Sequence, residues 1–98
     1  MVRPRKFRFV SAEPNVTYFK PRGIPLRELE EVEVTVDEFE SIRLKDSQDL
    51  DQKKVAKQMG ISQPSLHRLL SSARKKIAIA LVNGKAIRIN GGKYSIKR

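Results

Sequence analysis

The stretch from Gln52 to Leu69 restricts the fold of this chain more than any other part of its sequence. Its first half has helical spacing of apolar residues and stops at Gly60, a residue that readily adopts the positive φ angle needed to end a helix abruptly. Its second half starts at Ser62, a strong N-cap residue, and tolerates Pro64 in the first turn of a new helix. Ala56 is small enough to let two helices cross closely. The sequence therefore predicts a helix-turn-helix, in which two helices pack across a very short turn.

The apolar side chains of this stretch are expected to point inward and to hold the crossing angle of the two helices. They are Val55, Met59, Ile61, Leu66 and Leu69. A generic three-helix bundle that uses Gly60 only as a helix stop is the alternative that the pattern leaves open.

Helical spacing predicts three helices, over residues of about 36–45, 51–59 and 63–82. A capping box precedes the first, since Thr35 and Glu38 are placed to exchange side-chain and backbone hydrogen bonds. Residues 1–34 are expected to form a basic segment packed on this core. Short strands are predicted there at 6–10 and 16–19, and the pattern at 26–34 fits either a helical turn or a strand.

Ile87 and Ile89 alternate with polar residues ahead of a loop at 90–93, and this pattern predicts a C-terminal β-hairpin over residues 85–98. The expected fold class is therefore mainly α. A helix-turn-helix three-helix core of residues 35–84 carries a short irregular or β N-terminal segment and the C-terminal hairpin.

Charge is sorted along the chain into blocks. Residues 1–27 carry seven Lys and Arg and one acid, residues 28–51 ten acids and two bases, and residues 52–98 twelve bases and no acid. With a net charge of +10, the acid-free stretch produces a positive field that attracts polyanions, of which nucleic acid is the commonest. Anionic lipid is the rival on charge alone, but no apolar run is long enough to cross a bilayer, so no membrane partner is expected.

The second helix of the predicted motif offers hydrogen-bonding groups to base edges in a major groove. The candidate base-reading residues are Gln63, Ser65, His67, Arg68 and Ser71. Arg68 suits a bidentate contact with guanine and Gln63 one with adenine. A phosphate contact fits Arg68 nearly as well.

Other polar residues around the motif are expected to contact phosphates and so to set affinity and register. The candidate phosphate-binding residues are Lys53, Lys54, Lys57, Ser62, Arg74 and Lys75. At the N-terminus, Arg3 and Arg5 either form an arm that enters a minor groove or belong to a strand packed through Phe7 and Phe9.

The segment Ile77–Val82 is apolar around the whole helix, which indicates burial on every side. Either the N-terminal segment and the hairpin cover it, or a second subunit does. The second possibility predicts a homodimer, because many helix-turn-helix proteins bind two half-sites as two-fold dimers.

Composition argues against an enzyme. The chain has no Cys and one His, which leaves few candidates for a nucleophile, a general base or a metal ligand. No catalytic residue, metal site or cofactor is expected. The lack of Cys suits a reducing compartment and no signal peptide is recognised, so the expected location is the cytoplasm.

Several stretches resemble domain-of-unknown-function family 134, small archaeal and bacterial proteins described as predicted DNA-binding proteins with a helix-turn-helix similar to region 4 of sigma factors. The resemblance is carried by Arg3–Lys6, Val16–Pro21, Leu29–Leu44, Ala73–Lys76 and Ala80–Lys85. It implies nucleic-acid binding through the motif.

Together these features predict sequence-specific binding of double-stranded DNA by a transcriptional regulator. Two alternatives stay open. One is a protein-interaction module that docks on the transcription machinery, RNA polymerase included, through the acidic segment or the long helix. The other is an RNA-binding protein.

Overall fold

The computed structural model describes residues 7–97, and this part of the chain contains three α-helices. They are α1 (Val36–Ile42), α2 (Gln52–Met59) and α3 (Gln63–Asn83). A π-helical segment, Arg43–Ser47, continues α1 two residues beyond its predicted end. The short strands are β1 (Arg8–Val10), β2 (Tyr18–Phe19), β3 (Glu31–Val34), β4 (Ala86–Ile89) and β5 (Tyr94–Ile96).

Each of the three helices begins at a side-chain cap. Thr35, Asp51 and Ser62 each accept a hydrogen bond from the backbone amide three residues later, which satisfies a donor that has no partner within the helix. The amide of Thr35 donates to the Glu38 carboxylate, so the predicted capping box is complete. Gly60 follows α2 with a φ of 68°, the left-handed conformation that glycine adopts without strain.

Two apolar clusters hold the helices and strands together. The first joins the π-helical segment to α2 and α3, and consists of Leu44, Val55, Ala56, Met59, Leu66, Leu69 and Leu70, with Ile61 partly buried beside them. The second lies between the strands, α1 and α3, and is built on Val10, Val34, Val36 and Ile89. The residues predicted to point inward from the α2–α3 stretch therefore lie in one cluster.

The strands form two small sheets, and their pairing corrects the prediction of a C-terminal hairpin. β4 pairs antiparallel with β2 and parallel with β3, while β5 pairs parallel with β1. The loop between β4 and β5 covers the start of α1 instead of turning the chain back on itself. The Gly91 carbonyl accepts from the Val36 amide at 3.0 Å, and Gly92 packs against Thr35 and Asp37.

Residues 26–34 of the N-terminal segment, for which the sequence left a helical turn or a strand open, form both. A 3₁₀ turn at Leu26–Glu28 precedes strand β3, so residues 26–34 contain a helical turn and a strand. β1 packs against α1 and α2, and its Phe9 side chain contacts Gly60. Arg3 and Arg5, the candidate DNA arm, lie outside the described residues.

Candidate nucleic-acid interface

α2 has a basic outer side. Its apolar residues lie in the first cluster, and Lys53, Lys54 and Lys57 are exposed on the opposite side. Among the ion pairs within residues 7–97, none involves these lysines. Their charges are therefore available to an anionic partner without breaking a contact in the fold.

A turn of three residues, 60–62, connects α2 to α3. The Gly60 amide donates to the carbonyl of Lys57 and the Ile61 amide to that of Ala56, which closes the end of α2. A Cβ on Gly60 would lie 2.9 Å from Cδ2 of Phe9, so glycine is required both by its backbone angle and by the ring beside it.

Lys97 is a base near this turn that the sequence did not single out. Its Nζ lies 5.8 Å from the centroid of the Phe9 ring, and that ring contacts Gly60. The parallel pairing of β5 with β1 brings it there. Nothing in the local sequence indicates this placement, because it depends on contacts between the two ends of the chain.

The N-terminal half of α3 presents polar side chains to solvent. Gln63, His67 and Ser71 recur every fourth residue, which places them on one side of the helix, and all three are exposed. Arg68 is exposed next to them. Four of the five candidate base-reading residues therefore lie together on the outside of α3.

Ser62 and Ser65 make local contacts that organise this end of α3. The Ser62 hydroxyl accepts from the Ser65 amide and donates to Ser65 Oγ at 2.9 Å. Arg68 Nη2 donates to the same Ser65 Oγ at 3.3 Å. The structure thus places half-buried Ser65 as a support for Arg68, and Ser62 as the cap of α3.

Arg74 and Lys75 are in different environments. Arg74 makes a bidentate contact with Asp46, with Nη2 at 2.6 Å from Oδ1 and Nε at 3.0 Å from Oδ2. The hydrogen bonds from Arg74 hold the pKa of the Asp46 carboxyl below its usual range. Lys75 is exposed and takes part in none of the ion pairs within residues 7–97.

The carboxylates of α1 are buried and paired. Glu38 accepts from Lys76 at 2.8 Å, from Ser72 at 2.5 Å and from the Thr35 amide at 2.9 Å. Burial alone would raise the pKa of Glu38, but these bonds outweigh it and the pKa lies below its ordinary value. The pKa of Glu40 is lowered in the same way against its burial, chiefly by Arg43.

The acidic segment 28–51 is therefore largely neutralised within the fold. Its ion pairs, several of them to distant parts of the chain, are Asp37 with Arg8, Glu38 with Lys76, Glu40 with Arg43, Asp46 with Arg74, Glu30 with Lys85 and Glu31 with Arg88. The lysines of α2 and the arginine of the first α3 turns take part in none of these pairs. Excess positive charge accordingly remains on the α2–α3 unit.

The fold and this surface define a small, mainly α protein with a basic, polar face on two adjacent helices. The chain belongs to the family described as Protein of unknown function DUF134, whose profile matches residues 1–97. It is 59% identical to a UPF0251 protein of Caldanaerobacter subterraneus subsp. tengcongensis over 96 residues, which cover 98% of this chain and 81% of that protein.

Further relatives carry the same UPF0251 description. That of Thermoanaerobacter pseudethanolicus is 54% identical over 98% of this chain and 81% of its own length, and that of Halothermothrix orenii is 47% identical over the whole chain and 73% of its own length. No solved structure matches the chain significantly. In the part of the chain that the structure describes, no helix has both the length and the apolar character needed to span a membrane.

Proposed function

We propose that the protein binds double-stranded DNA in a sequence-dependent manner through a helix-turn-helix formed by α2, the turn at 60–62 and α3, and that it acts as a transcriptional regulator. The observation that supports this most is the distribution of charge. The lysines of α2 and Arg68 on α3 are exposed and held by no carboxylate within residues 7–97, whereas the buried acids of α1 are held by bases of their own.

The two helices take different parts in this proposal. The N-terminal half of α3 enters the major groove, where Gln63, His67 and Ser71 face base edges and Arg68 reaches guanine or a phosphate. α2 crosses the backbone, and its lysines neutralise phosphates without reading sequence. The contact of Arg68 with Ser65 restricts the guanidinium before DNA is bound, which lowers the entropy lost on binding.

The test is fluorescence anisotropy with a labelled random duplex across a series of salt concentrations, followed by selection of a preferred sequence. Affinity should fall steeply with salt, with a logarithmic slope of about 0.9 per phosphate contacted. Lys54→Ala should weaken binding to all sequences alike and make the slope shallower by about one unit. Arg68→Ala should weaken binding to the selected sequence and relax the preference at one base pair by about 1–3 kcal/mol.

Arg27→Ala is the matched control, because Arg27 is exposed on the 3₁₀ turn outside the α2–α3 unit and its loss changes the net charge equally. Equal losses for Arg27→Ala and Lys54→Ala would show that only total charge matters. No binding at low salt would refute the proposal. Competition with duplex DNA and single-stranded RNA of matched sequence decides between the two nucleic acids.

A further inference from the structure

An apolar groove lies between α1, α3 and the sheet of β2, β3 and β4. Its cavity of about 240 Å³ is lined only by apolar side chains. An adjoining cavity of about 310 Å³ shares Phe19 and Ile87 with it and extends along α3 to Leu81. We call this surface the apolar groove and define it by Phe19, Phe39, Ile42, Ile77, Leu81 and Ile87.

The groove exposes more apolar surface than isolated side chains would. Phe19 is 50% exposed and Leu81 74% exposed, and the other four residues are partly buried. The exposed parts of the six side chains amount to roughly 400 Å², the size of a functional patch rather than of scattered residues. One side of a standard protein interface buries about 800 Å², of which somewhat more than half is apolar. The groove therefore supplies most of the apolar area that one side of a stable dimer needs.

We propose that a second copy of this chain occupies the apolar groove, so that the protein is a two-fold homodimer. Charge favours this side of the molecule for self-association. Two chains of charge +10 repel each other wherever their bases are unpaired. Beside the groove, Arg74 is held by Asp46 and Lys85 by Glu30, while Lys20, which lines the adjoining cavity, takes part in no ion pair within residues 7–97. The repulsion there is therefore lower than on the outer side of α2, where three exposed lysines are unpaired within the same residues.

The position of the groove on α3 leaves the proposed DNA-binding side free. At 3.6 residues per turn and 1.5 Å per residue, the centre of Ile77 and Leu81 lies about 60° around the helix from the centre of Gln63, His67 and Ser71 and about 18 Å further along it. A partner seated in the groove at the C-terminal half of α3 therefore leaves the polar side of the N-terminal half free, and each dimer presents two such sides. The dimer itself does not depend on DNA binding. The expectation that it contacts two half-sites rests on the proposed function.

The first test is sedimentation equilibrium without DNA over a range of protein concentrations. The wild-type chain should be dimeric, and Leu81→Glu should be monomeric, because it places a charge in the interface. Leu81 is 74% exposed, so the variant should fold normally, which circular dichroism checks. Leu26→Glu is the matched control. Leu26 is 62% exposed and lies beside Tyr18 and Arg88. Tyr18 and Arg88 are the strand neighbours of Phe19 and Ile87, so their side chains, and Leu26 with them, lie on the face of the sheet opposite the groove.

Leu26→Glu should remain dimeric. A wild-type chain that stays monomeric at about 100 μM would overturn the proposal. So would a dimer that Leu81→Glu leaves intact, because the contact would then lie on another surface. If a different protein fills the groove instead, the purified chain stays monomeric at every concentration, and the proposal is overturned in that case too.

A second test follows the groove directly. The chain contains no Trp, so Phe19→Trp introduces a single reporter in the groove. Its emission should move to shorter wavelength as the protein concentration rises through the dimerisation range, since the partner excludes water from the ring. The control Tyr18→Trp, at the neighbouring residue on the opposite face of β2, should show no such change. A shift at both positions, or at neither, contradicts the proposal. Both tests omit DNA, so a failure here is distinct from a failure of DNA binding.

Discussion

Glu38 joins α1 to α3, and replacing it separates the contribution of its hydrogen bonds from that of its charge. Oε1 accepts from Lys76 and from the Thr35 amide, while Oε2 accepts from Ser72. Gln keeps the shape, completes the same capping box and still accepts from Lys76. Its amide nitrogen faces Ser72, whose hydroxyl can rotate to accept instead of donate. Glu38→Gln therefore removes mainly the charge, whereas Glu38→Ala removes all three bonds.

The structure sets the expected magnitudes. The Lys76 side chain is 34% exposed, so losing the ion pair leaves an ammonium that water can solvate, and Glu38→Gln should cost about 1 kcal/mol of unfolding free energy. Glu38→Ala loses three bonds at a carboxylate that is 6% exposed and should cost about 3 kcal/mol, at roughly 1 kcal/mol for each bond. Each kcal/mol corresponds to a fall in Tm of about 4–8 °C for a domain of this size.

Urea unfolding followed by circular dichroism measures both changes. Glu28→Ala is the control, because Glu28 is exposed and its side chain makes no hydrogen bond or ion pair within residues 7–97. This variant should change the free energy of unfolding by less than about 0.5 kcal/mol. If Glu38→Gln costs as much as Glu38→Ala, charge rather than hydrogen bonding fixes α1 on α3, and the reasoning is refuted. A loss near zero for Glu38→Ala would refute it as well.

Two further predictions concern stability. The folded-state pKa values of Glu38 and Glu40 are lowered, so the stability that these two carboxylates contribute is present above the ordinary Glu pKa of 4.5 and is lost as the pH falls below it. Urea midpoints measured between neutral and acidic pH should show this loss of stability, and the loss should be smaller in Glu38→Gln. Gly60→Ala should cost about 1–2 kcal/mol for its positive φ and more for its contact with Phe9. Gly84→Ala has a similar φ and no atom within 4 Å, so a loss as large as that of Gly60→Ala would exclude a role for the Phe9 contact.

Local signals predicted the elements that depend on local chemistry. The capping box fixes the start of α1, and Gly60 and Ser62 fix the turn between α2 and α3, because each acts through hydrogen bonds within a few residues. The exposure of Gln63, His67 and Ser71 follows from the same helical period that buries Leu66 and Leu69. The sequence therefore predicted the polar side of α3 without reference to the rest of the chain.

The remaining features depend on contacts between distant residues. β4 alternates like a hairpin strand, but its partners are β2 and β3, and the loop at 90–93 is held by the start of α1. Nothing local in the acidic run at 28–51 indicates that Glu38 is buried against Lys76 of α3, or that Glu40 accepts from the distant Ser11 amide as well as from its neighbour Arg43. Residue spacing within one element does not indicate which distant base will pair with which acid.

Arg74 shows how such a pairing bears on the proposed function, because the sequence assigned it to DNA and the structure gives it to Asp46. Asp46→Asn removes the charge that holds Arg74, and the Arg74 side chain stays on an exposed part of α3. If Arg74 then reaches a phosphate, affinity for a random duplex should rise and the logarithmic salt slope should steepen by about 0.9, the value for one phosphate.

Glu31→Gln is the control for this experiment. It releases Arg88 from a similar pair of hydrogen bonds and changes the net charge equally, but on the sheet rather than on α3. It should raise affinity slightly through the general field and leave the slope unchanged, because Arg88 is not part of the α2–α3 unit. If both variants act alike, Arg74 does not contact DNA even when released, and its role is to fasten α3 to the π-helical segment.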